Sequence, residues 1–417
     1  MARAMSPKTV SFILHLYQPS VQSNNVVKQI YESSYNPLLK ILKNNKNSHI
    51  TLNMPLSFLE LMDTYGYSDW IADVAKLYEL GKIEITGSAA YHPLLSQFDK
   101  KIVEDEIILN EYGLGYYFGK RTGFEGEKSI LLKDVTGFFS PELAVNENVL
   151  NTISDLGYEW ALVDSCALPN QESTDTEVEY KNGLKLVIRN TELSNKIAFY
   201  RGFDTSSILQ AFNSSSSQNI YIALDGETFG HHNKDGILYF DSLIDALSKQ
   251  GIALRTVTDV LSGIKNMKKC ENIVDSSWGA SKEDILNGDI LPFWKNENNT
   301  TQQSIWQLNK YVESVYLQLQ FPKSIPSNLE NVALWKNDFI NKLENPELQK
   351  FLVEQFSYLR LLMSDALWWV SGKALYNNDV VLDTDFVKKY IALAQTVADM
   401  TNDTTLKEHL TQIESKL

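Results

Sequence analysis

The sequence predicts an α/β domain built on a mainly parallel sheet, followed by a domain made of helices. Three observations carry that expectation. Seventeen of the 20 glycines precede residue 265, so the turns that alternating strands and helices need are confined there. Short β-rich runs alternate with helical patterns in the same part. Beyond it, apolar residues step by threes and fours, the spacing of a helix face. The natural division is 1–265 and 266–417.

The strands are expected at Thr9–Leu16, His49–Asn53, Ile83–Thr86, Thr136–Ser140, Trp160–Val163, Ile197–Tyr200, Ile220–Leu224 and Ile252–Thr256. Several are continuously apolar, as strands covered on both faces are. Helical patterns lie between them at Val27–Leu42, Trp70–Leu80 and Asn148–Leu156. This alternation suits either a barrel or a doubly wound sheet. Gly113–Glu127, Leu168–Asn182 and the serine run near Ser214 read as loops. In the second part, Ile305, Leu308, Val312, Val315 and Leu319 form one helix face, which Phe321-Pro322 stops. Asn345-Pro346-Glu347 is a cap, a proline in the first turn and an acid near the positive end of the dipole. The helix it opens is expected to run through Leu362 and Trp369 towards Gly372, and another begins near Thr384.

Composition removes several function classes. The 417 residues carry 38 Lys and Arg against 52 Asp and Glu, a net charge of −14, which repels nucleic acid and anionic lipid. The two cysteines, Cys166 and Cys270, are too few for a disulfide framework or a cysteine-built zinc site. No apolar run reaches the roughly 18 residues of a membrane span. The first residues lack a signal-peptide layout, so a cytoplasmic location is expected.

In an α/β barrel the chemistry sits where the strands end, so the residues just past each apolar run are the candidates. The first run ends in His15-Leu16-Tyr17-Gln18-Pro19, with His15 and Tyr17 on one face. The third contains Glu84 between Ile83 and Ile85, followed by Tyr91-His92-Pro93. Glu84 is either a solvated strand acid or a carboxylate in a barrel interior that needs a partner. Phe138-Phe139-Ser140-Pro141-Glu142 delivers a strand directly into an acid. Ile220–Leu224 leads into Asp225-Gly226-Glu227, with His231 and His232 close behind. Four of the six histidines (His15, His92, His231, His232) fall in these stretches.

The order HLYQP, GKIEITGSAAYHP, FFSPELAV, LDGETFGHH and then a helical tail resembles glycoside hydrolase family 57 over nearly the whole chain. Similarity extends to Ile188-Arg189-Asn190, Ser276-Ser277-Trp278, Pro292-Phe293-Trp294 and Ser364-Asp365. The resemblance implies a distorted seven-stranded parallel β/α barrel, a C-terminal helical domain and a retaining reaction on α-1,4-glucans. It implies Glu142 as nucleophile and Asp225 as acid/base. It makes His15, Gln18, Glu84, His92, Glu227 and His232 candidates for binding sugar hydroxyls. Trp278, Trp294 and Asp365 would close the cleft from the helical domain. It implies no metal or cofactor, and an α-glucan or maltooligosaccharide as partner, with no nucleic acid and no membrane.

Retaining chemistry needs two carboxyl groups roughly 5 Å apart across the scissile bond. Burial near Phe229 and the Glu142 charge would raise Asp225 above the usual carboxylate range, so that it can donate a proton. Tyr17 departs from the family, where many members have histidine before Gln-Pro. Its hydroxyl still donates, but it does not titrate near pH 7, which shifts the main binding role to His15.

Hydrolysis is the expected outcome, by likeness of Glu-Thr-Phe-Gly to α-amylases. A 4-α-glucanotransferase or a branching enzyme would use the same two carboxyls. Readings from other classes are a metal-dependent polysaccharide deacetylase and a non-catalytic glucan-binding relative. Adjacent His231 and His232 cannot both face one ion from a regular strand or helix, which weighs against the deacetylase. The presence of both carboxylates weighs against a dead site.

Overall fold

The computed structural model describes residues 8–119, 135–168, 175–199, 205–320, 340–341, 343, 345–374 and 380–417. The strands are β1 (Thr9–His15), β2 (Ile50–Asn53), β3 (Ile83–Thr86), β4 (Gly137–Phe139), β5 (Trp160–Asp164), β6 (Glu177–Tyr180), β7 (Lys185–Arg189), β8 (Asn219–Asp225), β9 (Ala253–Leu254) and β10 (Lys268–Cys270). They form two five-stranded sheets. The first runs β3-β2-β1-β8, with β9 added to the start of β1. The second runs β10-β6-β7-β5-β4. Every pair is parallel except β6 with β7.

Two sets of backbone bonds join the sheets. Gly87, just past β3, donates to Gly137 O at 2.8 Å and accepts from Phe139 N at 3.0 Å. A side chain at Gly87 would collide with Tyr158, whose hydroxyl oxygen lies 2.1 Å and ring carbons 2.5 Å from where a Cβ would sit. At the other end, Asn190 N donates to Tyr221 O at 2.8 Å, linking the end of β7 to β8. Between the sheets lies an apolar cluster that includes Ile13, Phe139, Trp160, Leu162, Val187, Tyr221 and Ala223. Helices cover the outside, and the largest core cluster lies under them.

Several expected elements changed. Ile197–Tyr200 is not a strand: Thr191–Phe199 is helical, and Tyr200 lies outside the described residues. Asn190 caps that helix by accepting from Leu193 N at 3.0 Å, and four apolar residues alone do not separate strand from helix. The strand of this region is β7, and its hairpin partner β6 comes from the stretch read as a loop. Its alternation, Val178 and Tyr180 buried between Glu177 and Glu179, is that of a half-covered strand. Gly113–Phe118 belongs to a helix, Lys100–Phe118. Ile252–Thr256 contributes only two strand residues, because Thr256 turns to cap the helix Val257–Ser262.

Val27–Leu42 is helical but interrupted. A π-helical turn at Tyr31–Tyr35 separates Asn24–Ile30 from Asn36–Asn44. Pro37 has no N–H to give the preceding turn, a recognised cause of such breaks. The widened turn buries Ser34 and Tyr35.

The second part contains Thr300–Tyr316, Pro346–Arg360, Asp365–Trp368, Thr384–Thr401 and Thr404–Glu414. Ile305, Leu308 and Val312 are buried, with Val315 and Leu319 partly so. Asn345 caps as expected, accepting from Glu347 N and Leu348 N. Phe321-Pro322 lies outside the described residues. The helix opened by Pro346 stops at Arg360 rather than near Gly372. The chain there turns so that Met363 bridges to Pro93 and Ser364 N donates to His92 O at 3.1 Å. The sheet itself continues past residue 265, since β10 joins it. Cys166 and Cys270 are both free. No described helix is long and apolar enough to cross a membrane.

Candidate active site

The parallel strands deliver their polar residues to one rim. His15 ends β1 opposite Asn53 of β2 on one side and Asp225 of β8 on the other. His15 is buried, and its Nδ1 donates to Asn53 Oδ1 at 2.6 Å, since the Asn53 amide nitrogen is committed to Thr86 Oγ1. Burial, opposed by that hydrogen bond, lowers the His15 imidazole to about 4, so it is neutral. Its ring lies parallel to Phe139, 5.1 Å between centroids, and 5.0 Å from His92.

Glu142 follows β4 through Pro141 and has a left-handed backbone, φ 57°. His92 and Leu143 also have positive φ, at 64° and 45°. Such backbones cost on the order of 1–3 kcal/mol each and cluster where function demands them. The Glu142 side chain is 15% exposed. Oε2 accepts from Trp278 Nε1 at 2.8 Å and Oε1 from Ser364 Oγ at 3.1 Å. Burial pushes Glu142 up to about 8, helped by the charges of Asp365 and Asp225 and opposed by the Trp278 and Ser364 donors.

Asp225 lies where β8 ends. Burial raises it to about 6, and the Arg189 charge opposes the rise. Arg189 itself is anchored three ways: Nε to Ala223 O at 2.8 Å, Nη1 to Asp164 Oδ2 at 2.9 Å and Nη2 to Asn195 Oδ1 at 2.8 Å. Its guanidinium also lies 5.7 Å from the Trp278 ring centroid, within cation–π range. One cation therefore sits beside the acid at β8 and beside the indole that holds Glu142.

Asp365 and Glu227 complete an acidic group. Asp365 accepts from Tyr17 OH at 2.5 Å, and burial raises it to about 6 with help from the Asp225 charge. Tyr17 stacks on His92 at 3.9 Å. Glu227 is buried, accepts from Tyr35 OH and, at 3.2 Å, from Gln18 Nε2, and is pushed up to about 8 by burial and then by Asp225. The π turn is what brings Tyr35 to Glu227, and Ser34 Oγ to Gly226 O at 3.0 Å.

The structure thus brings His15, Gln18, His92, Glu142, Asp225, Glu227, Trp278 and Asp365 to linked positions around one rim. Three candidates lie elsewhere. Glu84 is two register positions below the Asn53–Thr86 pair, beside Thr51. It accepts from Thr51 Oγ1 at 2.8 Å, Val257 N at 2.9 Å and both Thr258 N and Thr258 Oγ1, so it caps a helix from within the strands. Trp294 is completely buried against Trp368 and Phe293, and it offers no face to a sugar. His232 is exposed beyond Glu227, whose carbonyl accepts from its N–H. Asn53 and Tyr35 were missed. Asn53 is a polar end to an apolar strand, a signal that was available, whereas Tyr35 needed the π turn. Among the described residues, no three His, Cys, Asp or Glu side chains are grouped to share a metal ion.

A model described as glycosyl hydrolase family 57 matches residues 11–272, more than half of the chain. The chain belongs to glycosyl hydrolase family 57. An α-amylase from Pyrococcus abyssi is 24% identical over 154 residues, 37% of this chain and 21% of that protein. The chain therefore spans about a fifth of that relative. A family 57-type branching enzyme from Pyrococcus horikoshii has a similar structure, with TM-score 0.67 at 15% identity over 98% of this chain and 94% of that one. An α-amylase from Thermotoga maritima gives TM-score 0.64 at 12% identity over 99% and 97%. A 4-α-glucanotransferase from Thermococcus litoralis gives 0.63 at 15% identity over 94% and 58%. At these identities the likeness concerns the fold.

Proposed function

We propose that the protein is a retaining glycoside hydrolase of α-1,4-glucans, with Glu142 as nucleophile and Asp225 as acid/base. Membership of family 57 supports the substrate class. The observation that carries the reading is that these two carboxyls, delivered by β4 and β8, share one enclosed rim, where the Asp225 charge raises the proton affinity of Glu142. The strand ring β8-β1-β2-β3-β4-β5-β7 is read as a distorted seven-stranded barrel, supported by the bonds at Gly87 and Asn190 that join its two sheets. Residues 1–265 supply both carboxyls, and 266–417 close over them with Trp278 and Asp365.

Glu142 would attack the anomeric carbon while Asp225 protonates the leaving oxygen; Asp225 then takes a proton from water as the ester is cleaved. The Trp278 and Ser364 donors hold the Glu142 carboxylate in place for attack. The competent state has Glu142 charged and Asp225 protonated; with Glu142 held at about 8 and Asp225 at about 6, it is the minor of the two singly protonated forms and is populated between those values. Because these acids interact within one group, a bell-shaped pH profile reports the group rather than either residue.

The test is product analysis from maltoheptaose with reducing ends counted. Hydrolysis raises reducing ends. Longer and shorter maltooligosaccharides at constant reducing ends mean glucan transfer, and new α-1,6 linkages mean branching. Glu142→Gln should lower turnover by at least about 10³-fold and leave oligosaccharide binding intact; near-normal turnover reassigns the nucleophile. Asp225→Asn should harm poor leaving groups more than activated aryl glycosides, and equal losses would refute its acid role.

A further inference from the structure

Three side chains form a wire into the nucleophile. Ser364 Oγ donates to Glu142 Oε1 at 3.1 Å and lies 3.1 Å from His92 Nδ1. The direct His92 Nδ1 to Glu142 Oε1 distance is 3.7 Å, too long for a hydrogen bond. His92 and Ser364 are 1% and 0% exposed. The other imidazole nitrogen, His92 Nε2, is buried without a hydrogen-bond partner in the described structure.

Counting protons gives the polarity. A charged carboxylate only accepts. Ser364 has one hydroxyl proton, and it points at Glu142. Ser364 Oγ must then accept from His92, so His92 carries its proton on Nδ1 and Nε2 is a bare acceptor. If Glu142 is protonated on Oε1, every bond reverses. Glu142 then donates to Ser364, Ser364 donates to His92 Nδ1, and His92 must carry its proton on Nε2.

We propose that Ser364 is a positioning residue that couples the charge of Glu142 to the tautomer of His92, so that an ionised Glu142 leaves the buried His92 Nε2 a bare acceptor. The steps balance. A proton arriving at Nε2 releases the Nδ1 proton to Ser364 Oγ as the Ser364 proton moves to Glu142. One proton enters, one carboxylate is neutralised, and the imidazole ends neutral. The reverse sequence takes the proton off Glu142, releases one from Nε2 and leaves Glu142 charged. The catalytic consequence rests on Glu142 being the nucleophile; the coupling itself does not.

The groups around the wire are consistent with a neutral imidazole. His92 is held well below the usual imidazole range by burial and then by His15. Tyr17 covers one ring face. Asp365 and Asp225 raise Glu142 from the helical segment and from β8, and Trp278 steadies its other oxygen.

The experiment is ¹⁵N NMR of the full chain with labelled histidine, across pH 5–9, with His92→Gln used for assignment. His92 should pass from Nε2–H to Nδ1–H as pH rises, with the midpoint at which the Glu142 carboxyl ionises, read from its ¹³C shift in the same samples. In Glu142→Gln the tautomer should be independent of pH. In Ser364→Ala the tautomer change and the Glu142 ionisation should lose their common midpoint, and Ser364→Thr should restore it. A wild-type His92 that keeps one tautomer throughout, or a Ser364→Ala protein that keeps the coupling, overturns the proposal. If Ser364→Ala does not fold, Glu142→Gln and Ser364→Thr still decide it. Retained turnover in Glu142→Gln with the coupling lost would refute the nucleophile assignment and leave the wire standing.

Discussion

Each acid at the rim carries a raised proton affinity, and burial is the largest cause in every case. A folded-state value above the unfolded one means that the native protein holds the extra proton. Such a group opposes folding increasingly as pH climbs from the unfolded value of about 4 to the folded value of about 8 for Glu142. Glu142→Gln should therefore stabilise the protein at pH 8, on the order of 1–2 kcal/mol, and hardly at pH 4. Thermal melts at the two pH values check this, and a larger gain at pH 4 would contradict it. Asp365 is the strongest charge acting on Glu142. Removing it with Asp365→Asn should lower the Glu142 value and move the bell-shaped kcat/KM profile to lower pH. A profile that stays in place would show that the Asp365 charge is not felt.

Two local breaks in regular structure place functional groups. The π turn at Tyr31–Tyr35 aims Tyr35 at Glu227, and the stop at Arg360 frees Ser364 and Asp365 to meet β1 and Glu142. Both breaks interrupt patterns that read as continuous helices, because periodicity records which face is buried and not where the ladder is interrupted. Gly87 is the matching feature among the strands. Gly87→Ala would drive a methyl group into the Tyr158 ring at the junction of the two sheets. It should cost about 2–3 kcal/mol, read as a lower denaturant midpoint at unchanged m-value. No loss would mean that Tyr158 has room to move.

At the scale of the molecule, the site is assembled from both parts of the chain. β1, β4 and β8 present His15, Glu142 and Asp225, while the later part supplies Trp278, Ser364 and Asp365. The bond from Tyr17 to Asp365 crosses that divide. Tyr17→Phe should remove about 1 kcal/mol of holding energy, seen as a roughly fivefold fall in kcat/KM with little change in melting temperature. A large fall in stability instead would make Tyr17 a packing residue.

Residue identity and periodicity were enough to place β1, β2, β3, β4, β5 and β8, the helical second part, and most of the rim residues. Strand period and apolarity dictate which residues arrive at a strand's end, and that is local information. The positions of Glu84, Trp294 and His232, the hairpin of β6 and β7, and the wire from His92 through Ser364 to Glu142 were settled by folding. For three of these the outcome depends on which distant group lies alongside: a helix start at Val257 for Glu84, Trp368 for Trp294, and for Ser364 the Glu142 carboxylate more than two hundred residues away. Pairwise geometry of that kind is created by packing, and no spacing along the chain encodes it directly.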